Sequence, residues 1–415
     1  MAKMADVASA PAARSTRRAG GVLLALALLL VATNLRPAVV SVATLVDQIR
    51  GEFGASATEL GLLTTLPVLC FGLLAPVTPR LSRRLGLEPL VGVALVVLLA
   101  GVLLRLVPAF GVVLVGSVLV GCAVGVGNVV MPVLVKRDFP HRTGLMTGAY
   151  SAILSAGGAV AAAATVPIQR ALGTGWAPAL ALWGVLAVLA LVVWSPTALA
   201  LRRRHETSAG VARAGGVSGL WTSPLAWAVT LYMGLQSLHF YAVTAWVPTL
   251  FVDAGLGRSE AGLLLGLSGV FGLVASALTP LLATRLRRQS ALVAVLALLY
   301  VVGYGGLLLA PATGAVLWMA LLGTVQGANL AVALLLITLR SPDAAHTTQL
   351  SGMAQGVGYC LAALGPLALG ALHDATGGWS VPLVVMVVLV VPTVVAGVLA
   401  GRDRHVRSPD AGALP

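Results

Sequence analysis

Residues 21–46 read GVLLALALLLVATNLRPAVVSVATLV, a run of apolar residues long enough to cross a lipid bilayer as one helix. Arg36 interrupts this run just outside the middle of a helix that we predict over 20–46. An arginine at the centre of a membrane helix costs roughly 2.5–3.5 kcal/mol to insert, and such residues usually face the interior of a helix bundle. The stretch therefore predicts a membrane protein with a charged residue inside its first span.

The composition of the whole chain points to the same class. Of 415 residues, 59% are hydrophobic and only 9% are charged, and the mean hydropathy is +0.99. A soluble domain carries roughly 25% charged residues. The apolar runs are long and continuous, whereas an outer-membrane barrel needs segments of about ten alternating residues. We therefore predict an all-α integral membrane protein.

Runs of about 20 apolar residues predict twelve spans in two sets of six. The first set covers 20–46, 57–80, 86–106, 109–136, 143–168 and 176–200. The second set covers 224–251, 259–284, 290–310, 313–338, 347–371 and 379–400.

Basic residues alternate from one set of loops to the other, which accounts for the net charge of +13 without a nucleic-acid partner. About 21 of the 26 basic residues fall in the predicted cytoplasmic loops and termini, while Arg50, Arg105, Arg170 and Arg258 fall on the opposite side. Both termini are then cytoplasmic, as an even number of spans requires. The first 30 residues resemble a signal peptide, but the apolar run continues past Arg36, so we predict that it is not cleaved.

The predicted organisation is a pair of six-helix halves. It comprises a cytoplasmic tail (1–19), an N-terminal half (20–200), a Gly/Ser/Arg-rich linker (201–222), a C-terminal half (223–400) and a second cytoplasmic tail (401–415). Glu59 and Glu260 lie 201 positions apart, and Asn128 and Asn329 repeat that offset. This spacing indicates an internal duplication, which in transporters places the substrate site between the two halves.

The sequence offers little for catalysis. It has no acidic residue near the centre of a span, no His-Glu-x-x-His motif and no glycine-rich phosphate loop. Cys70, Cys122 and Cys360 lie in apolar runs without metal spacing. We expect neither a metal nor a cofactor, and a membrane-embedded enzyme remains the remote alternative.

Arg36 is the leading candidate for binding. Pro37 removes the helical hydrogen-bond donor for the carbonyl of Thr33, so Thr33, Asn34 and Arg36 form a polar turn that can bend. Arg36 would bind an anionic group in a central cavity. The alternative is a structural arginine bound to helix-end carbonyls or to Asp47.

Further candidates lie on the expected inner faces of spans four, five, seven, ten and eleven. His239 could titrate near neutral pH, and Asn128 lies four residues before Pro132. Each of these side chains could equally have a structural role, either in packing or in hydrogen bonding between helices. The candidates are Asn128, Tyr150, Gln236, His239, Phe240, Gln326, Asn329 and Gln355.

With these residues in place, the whole chain resembles the major facilitator superfamily. The loop PRLSRRLG at 79–86 is similar to that family's Gly-x-Leu-Ala-Asp-Arg-x-Gly motif, although Arg83 stands where the motif has Asp. The resemblance implies that this loop takes part in gating through Arg80, Arg83, Arg84 and Gly86. Stretches such as GNVVMPVLVKRDFP (127–140) and NLRPAVVSVATLVDQIRGEFG (34–54) resemble the cyanate and 2-nitroimidazole transporter branch.

The resemblance implies a secondary transporter of small, often anionic solutes that works by alternating access in a bacterial cytoplasmic membrane. The predicted partners are the solute, the lipid bilayer and the proton as candidate coupling ion, and the functional unit is predicted to be a monomer. Efflux of amphipathic drugs by the same fold is the alternative function.

Overall fold

The computed structural model describes residues 22–55, 57–208 and 219–406, and within these ranges the regular structure is entirely helical. The predicted tail 1–19 and the central part of the predicted linker lie outside the described residues. In the N-terminal half the helices are α1 (22–32), α2 (Pro37–Ala43), α3 (Val46–Phe53), α4 (Ala57–Leu74), α5 (Thr78–Leu85), α6 (Leu87–Leu104), α7 (Phe110–Asp138), α8 (Thr143–Leu172), α9 (Trp176–Ala181) and α10 (Gly184–Ser208). In the C-terminal half they are α11 (Pro224–Asp253), α12 (Arg258–Ala283), α13 (Ser290–Leu309), α14 (Ala315–Leu339), α15 (Ala344–Thr376) and α16 (Ser380–Ala400).

Ten helices in the described part of the chain are long and apolar enough to cross a membrane. An eleventh results if Thr65–Leu74 and Thr78–Leu85, which meet at a bend of 61°, are counted as one span. The helix α11 is 30 residues long but is not among them. The predicted first span is broken into α1, α2 and α3, and α10 continues to Ser208, beyond its predicted end at residue 200.

Local sequence explains where several helices begin and end. Ser223 caps α11 by accepting a hydrogen bond from the backbone N–H of Ala226, and Pro224 occupies the first turn, where its missing N–H costs nothing. The Asp343 side chain caps α15 in the same way. That helix ends at Gly377, whose φ of +67° suits glycine.

Glycines bring the two halves into close contact along two seams. In the first seam α8 packs on α12, where a β-carbon on Gly148 would lie 2.5 Å from the carbonyl oxygen of Ala277. In the second seam α4 packs on α15, where a β-carbon on Gly352 would lie 2.8 Å from the carbonyl oxygen of Ala75. Small residues allow such close approach of backbones. Both seams lie toward the end of the bundle that carries Lys136, Arg137 and Arg340, which we call the basic end.

The structure adds one feature to the prediction for Arg105. It lies in the turn after α6, at the end opposite the basic end as the sequence predicts, but only 1% of its surface is exposed. The start of the C-terminal tail is attached to the helix bundle, because the described residues 401–406 pack on the C-terminal half. Arg340 donates from Nε to the carbonyl of Ala400 at 2.8 Å, and its own carbonyl accepts from the N–H of Val406 at 2.9 Å.

The first seam generates a prediction for Gly148→Leu. Overpacking a tight contact costs about 1–3 kcal/mol, so the closed arrangement of the basic end should lose population by about tenfold. Spin labels at residues 84 and 287, which are exposed on opposite halves at this end, should then report longer distances in pulsed electron resonance.

The control is Gly266→Leu on α12, where an added β-carbon meets nothing within 4 Å. Its distance distribution should match that of the wild type. An unchanged distribution for Gly148→Leu would show that the α8–α12 seam does not limit opening of the basic end.

Candidate functional site

The site begins at the break between α1 and α2. Residues 33–36 form a turn, and Pro37 opens α2 without an N–H to offer the carbonyl of Thr33. The Arg36 carbonyl restarts the helix by accepting from the N–H groups of Val39 at 3.1 Å and Val40 at 3.0 Å. The proline and the polar residues before it thus place the Arg36 side chain at an interruption of the helix.

Arg36 projects from the N-terminal half onto an aromatic ring of the C-terminal half. Its Cζ lies 5.5 Å from the centroid of the Phe240 ring on α11, and its Cβ lies beside Gly158 of α8. Within the described part of the chain, the half-buried guanidinium has no hydrogen bond and no ion pair. A cation–π contact contributes about 0.5–2 kcal/mol, less than the roughly 2.5–3.5 kcal/mol of insertion. The contact with Phe240 therefore offsets only part of this cost.

Aromatic pairs continue from Phe240 on α11 and lie on α15 and α4. Tyr241 packs edge-to-face on Phe240 with centroids 5.3 Å apart, and Tyr359 of α15 packs likewise on Phe71 of α4 at 5.6 Å. Of these rings, Phe240 is the one that Arg36 contacts directly among the described residues. The arrangement is a cation over the face of one aromatic ring.

Two predicted residues carry buried polar atoms without a hydrogen-bond partner among the described residues. Tyr150 of α8 is buried and interacts electrostatically with Tyr359, and its hydroxyl has no hydrogen-bond partner among the described residues. In that same part of the chain, Nε2 of the buried Gln326 on α14 is also without an acceptor. Buried polar groups are nearly always hydrogen-bonded. These two atoms are therefore exceptions to that rule among the described residues.

Gln355 joins the halves through a carbonyl that a proline has freed. Pro132 cannot donate to the carbonyl of Asn128, which instead accepts from Nε2 of Gln355 at 2.8 Å. The same nitrogen donates to the hydroxyl of Ser351 at 2.9 Å, which itself donates to the carbonyl of Val129 at 2.9 Å. Oε1 of Gln355 has no donor among the described residues. Asn128 thus contributes its backbone to the contact between α7 and α15.

Four predicted residues point into the helix packing instead. Asn34 donates to the carbonyls of Leu30 at 2.9 Å and Leu186 at 3.2 Å, which ties α1 to α10. The other three, Gln236, His239 and Asn329, lie inside the C-terminal half.

The partners of His239, Asn329 and Gln236 all belong to that half. His239 bonds through Nδ1 to the hydroxyl of Tyr304 at 3.0 Å and through Nε2 to that of Thr393 at 3.3 Å, and it stacks on Tyr300. Asn329 accepts from the hydroxyl of Tyr232 and donates to the carbonyl of Val325. Gln236 donates to the hydroxyl of Ser237 at 2.7 Å and the carbonyl of Met233 at 3.1 Å.

The predicted gating arginines are exposed at the basic end. Arg83 and Arg84 extend from α5, and Arg80 reaches only the carbonyl of Pro76 at 3.5 Å. Gly86 joins α5 to α6 with a φ of +86° that favours glycine. These residues form the surface of the bend rather than a buried charge cluster.

Other charged side chains at the basic end are more buried than these arginines, and the sequence alone does not indicate them. NH1 of Arg137 lies 2.8 Å from Oε1 of Glu88, which joins α7 to α6. Lys136 interacts electrostatically with Asp343 of the other half. Partial burial alone would raise the pKa of Asp343, but hydrogen bonds from the N–H and imidazole of His346 outweigh it and lower that pKa below its usual value. The sequence signal that could have indicated this pair is an Asp at the start of a helix with a His three residues later.

A family comparison matches this architecture. Residues 21–363 match the model of the Major Facilitator Superfamily. The chain belongs to this family. Its relatives are transporters, so the protein is a multi-pass membrane transporter and not an enzyme.

Curated relatives narrow the branch. The chain is 38% identical over 380 residues to the uncharacterized transporter YycB of Bacillus subtilis (strain 168), covering 91% of this chain and 93% of the relative. It is 38% identical over 380 residues to the 2-nitroimidazole transporter of Escherichia coli (strain K12), covering 92% and 95%. It is 31% identical over 356 residues to the cyanate transport protein CynX of the same organism, covering 85% and 91%. The resemblance to this branch is confirmed.

A solved structure confirms the fold. The proton:xylose symporter XylE superposes with a TM-score of 0.76 at 14% identity, covering 95% of this chain and 99% of that chain. At this identity the likeness concerns the fold alone.

The packing of His239 yields a stability prediction. In His239→Leu the hydroxyl of Tyr304 loses its partner inside the bundle, so the unfolding free energy should fall by about 1–3 kcal/mol. Denaturant titration in mixed micelles measures this change.

The control, His141→Leu in the exposed turn Pro140–Arg142, should stay within about 0.5 kcal/mol of the wild type. Equal stabilities for the two variants would contradict an interior packing role for His239.

Proposed function

We propose that this protein is a secondary transporter that moves a small anionic or strongly polar solute across a bacterial cytoplasmic membrane by alternating access. We also propose that the chain has twelve spans, that both termini are cytoplasmic and that the functional unit is a monomer. The solute belongs to the cyanate-like or nitroimidazole-like class. The observation that carries the proposal is the unpaired guanidinium of Arg36 at the contact between the two halves.

Electrostatics supports an anionic or dipolar solute. Closure of the two halves over Arg36 would remove water from the guanidinium, and an unpaired buried charge then costs several kcal/mol. A solute that brings negative charge to Arg36 removes this cost in the closed state. Binding and closure are thereby coupled, because the halves close favourably only around a bound anion.

The walls of the site favour a flat solute. Phe240 and Tyr359 present ring faces or edges beside the cation, while the hydroxyl of Tyr150, Nε2 of Gln326 and Oε1 of Gln355 supply unused hydrogen-bonding atoms. A planar molecule with one anionic or nitro-like edge and polar ring atoms would use all of these groups. Asn34, Asn128, Gln236, His239 and Asn329 would shape the helices that hold this pocket.

The arrangement of the halves corresponds to an outward-facing state if the basic end is cytoplasmic. The glycine seams close that end, and Arg36 lies beyond them. We propose that Lys136 and Asp343 help to hold the closed end, and that Arg80, Arg83, Arg84 and Gly86 shape the segment from the bend between α4 and α5 to the start of α6. A proton that couples transport would travel on the solute itself, since His239 is enclosed by Tyr304 and Thr393.

The test is counterflow in proteoliposomes with Arg36 variants. Arg36→Ala should abolish exchange of cyanate or 2-nitroimidazole, or reduce it by at least about tenfold. Arg36→Lys should be impaired because the bidentate fork is lost while the charge is kept. Both variants should reach the membrane at normal levels.

Arg170→Ala, which removes an exposed arginine at the end of α8, is the matched control and should exchange like the wild type. Wild-type counterflow by Arg36→Ala would refute the anion site. Export of amphipathic drugs in a pump-deleted strain, with no counterflow of anions, would establish the efflux function instead.

The proposed closing pair predicts the behaviour of Asp343→Asn. Asparagine still caps a helix but has no charge to attract Lys136. Among the described residues the ion pair of Asp343 is with His346, and its attraction to Lys136 acts over a longer distance. Even direct exposed pairs contribute only about 0.2–1 kcal/mol, so the open basic end should gain population by less than about fivefold. Spin labels at residues 84 and 287 report this change.

Lys136→Gln should produce the same shift, and the double variant should add little to either single change. Asp374→Asn, an exposed acid at the other end of α15, serves as the control. Additive effects of the two single changes would show that Lys136 and Asp343 act independently.

A further inference from the structure

Arg105 is a buried charge that the transport proposal does not use. It follows α6, and 1% of its surface is exposed. Its side chain passes Gly116 of α7, where an added β-carbon would lie 3.0 Å from Cγ of Arg105. A guanidinium cannot shed its charge in a protein, and charges inside membrane proteins are rare and functional by default.

The single hydrogen bond of Arg105 reaches the first span. NH1 donates to the carbonyl of Ala38 at 2.7 Å, while Nε and NH2 have no partner in the described ranges. A hydrogen bond from a charged donor is roughly twice as strong as a neutral one. Ala38 lies two residues after Arg36, in the first turn of α2.

The helix α2 needs such an attachment. It has seven residues and is separated from α1 by the turn at 33–36 and from α3 by the turn at 44–45. Helices this short are not stable by themselves, so α2 is held in place by its packing on α8 and by the hydrogen bond from Arg105. The orientation of α2 in turn sets where the Arg36 side chain points.

We propose that Arg105 is a positioning residue that holds α2 through the carbonyl of Ala38 and thereby keeps Arg36 over Phe240. The inference rests on the proposed function in that Arg36 is taken as the binding group. Arg105 itself does not touch the solute. It fixes the one segment of the first span that carries the binding cation.

The experiment measures the reactivity of Arg36 itself, so that it does not depend on the solute. Purified full-length protein in detergent is treated with p-hydroxyphenylglyoxal, which modifies accessible guanidinium groups, and the modified peptides are quantified by mass spectrometry. In Arg105→Met, α2 loses its attachment and Arg36 leaves Phe240, so its modification should become faster by about threefold to tenfold. Arg105→Lys retains a charged donor and should restore a rate close to that of the wild type.

Arg340→Met is the matched control. Arg340 is also buried, with 3% of its surface exposed, and it also donates to helix-end carbonyls, but it lies in the C-terminal half. Its loss should lower stability without changing the modification rate of Arg36. An unchanged rate in Arg105→Met, or an equal increase in Arg340→Met, would overturn the positioning role.

A second variant covers the case in which Arg105→Met fails to fold. Gly116→Ala places a methyl group 2.6 Å from the carbonyl oxygen of Gly101 and 3.0 Å from Cγ of Arg105, so it displaces the end of α6 that carries Arg105. It should also speed modification of Arg36, whereas Gly111→Ala, with nothing within 4 Å, should not. Equal rates in these two glycine variants would likewise overturn the role. Failure of the wild type to exchange anions in proteoliposomes would refute the proposed function while leaving this result intact.

Discussion

The uncompensated charge of Arg36 is the constraint around which the rest of the structure is arranged. Its contact with Phe240 recovers only part of the cost of placing a guanidinium among apolar helices. An unpaired cation in an apolar environment has a lower free energy in any state in which an anion lies beside it. The two halves then have a physical reason to close on a loaded site and to remain open around an empty one.

The halves can move because their contacts are made by small residues. Gly148 and Gly352 allow helix backbones to meet without interlocking side chains, so each seam can separate without repacking a large core. The hydrogen bond from Gln355 to the carbonyl of Asn128 adds a directional link between the halves. Pro132 makes this link possible by leaving that carbonyl free, so a helix irregularity in one half becomes a contact with the other.

The broken first span places a local cost where function requires it. The turn at 33–36 interrupts the helix, and the attachment of Ala38 to Arg105 stabilises the short segment that follows. The interior of the C-terminal half is different. There His239, Tyr300 and Tyr304 stack and bond to one another, which makes a rigid body suitable for moving as a unit.

The amino-acid sequence by itself determined the helical membrane class and the family branch, and it predicts the repeated halves and a binding role for TNLRP at 33–37. Hydropathy, a fixed repeat offset and a proline rule are local quantities, so they can be recognised without coordinates. Only the tertiary structure decided which polar residues meet. His239 and Phe240 are neighbours on α11 and both are candidates from the sequence, but His239 bonds to Tyr304 while Phe240 lies beside Arg36. The sequence places Arg105 at the end of a helix but does not show which neighbouring helix covers that end. Its burial depends on that neighbouring helix, so only the structure reveals it.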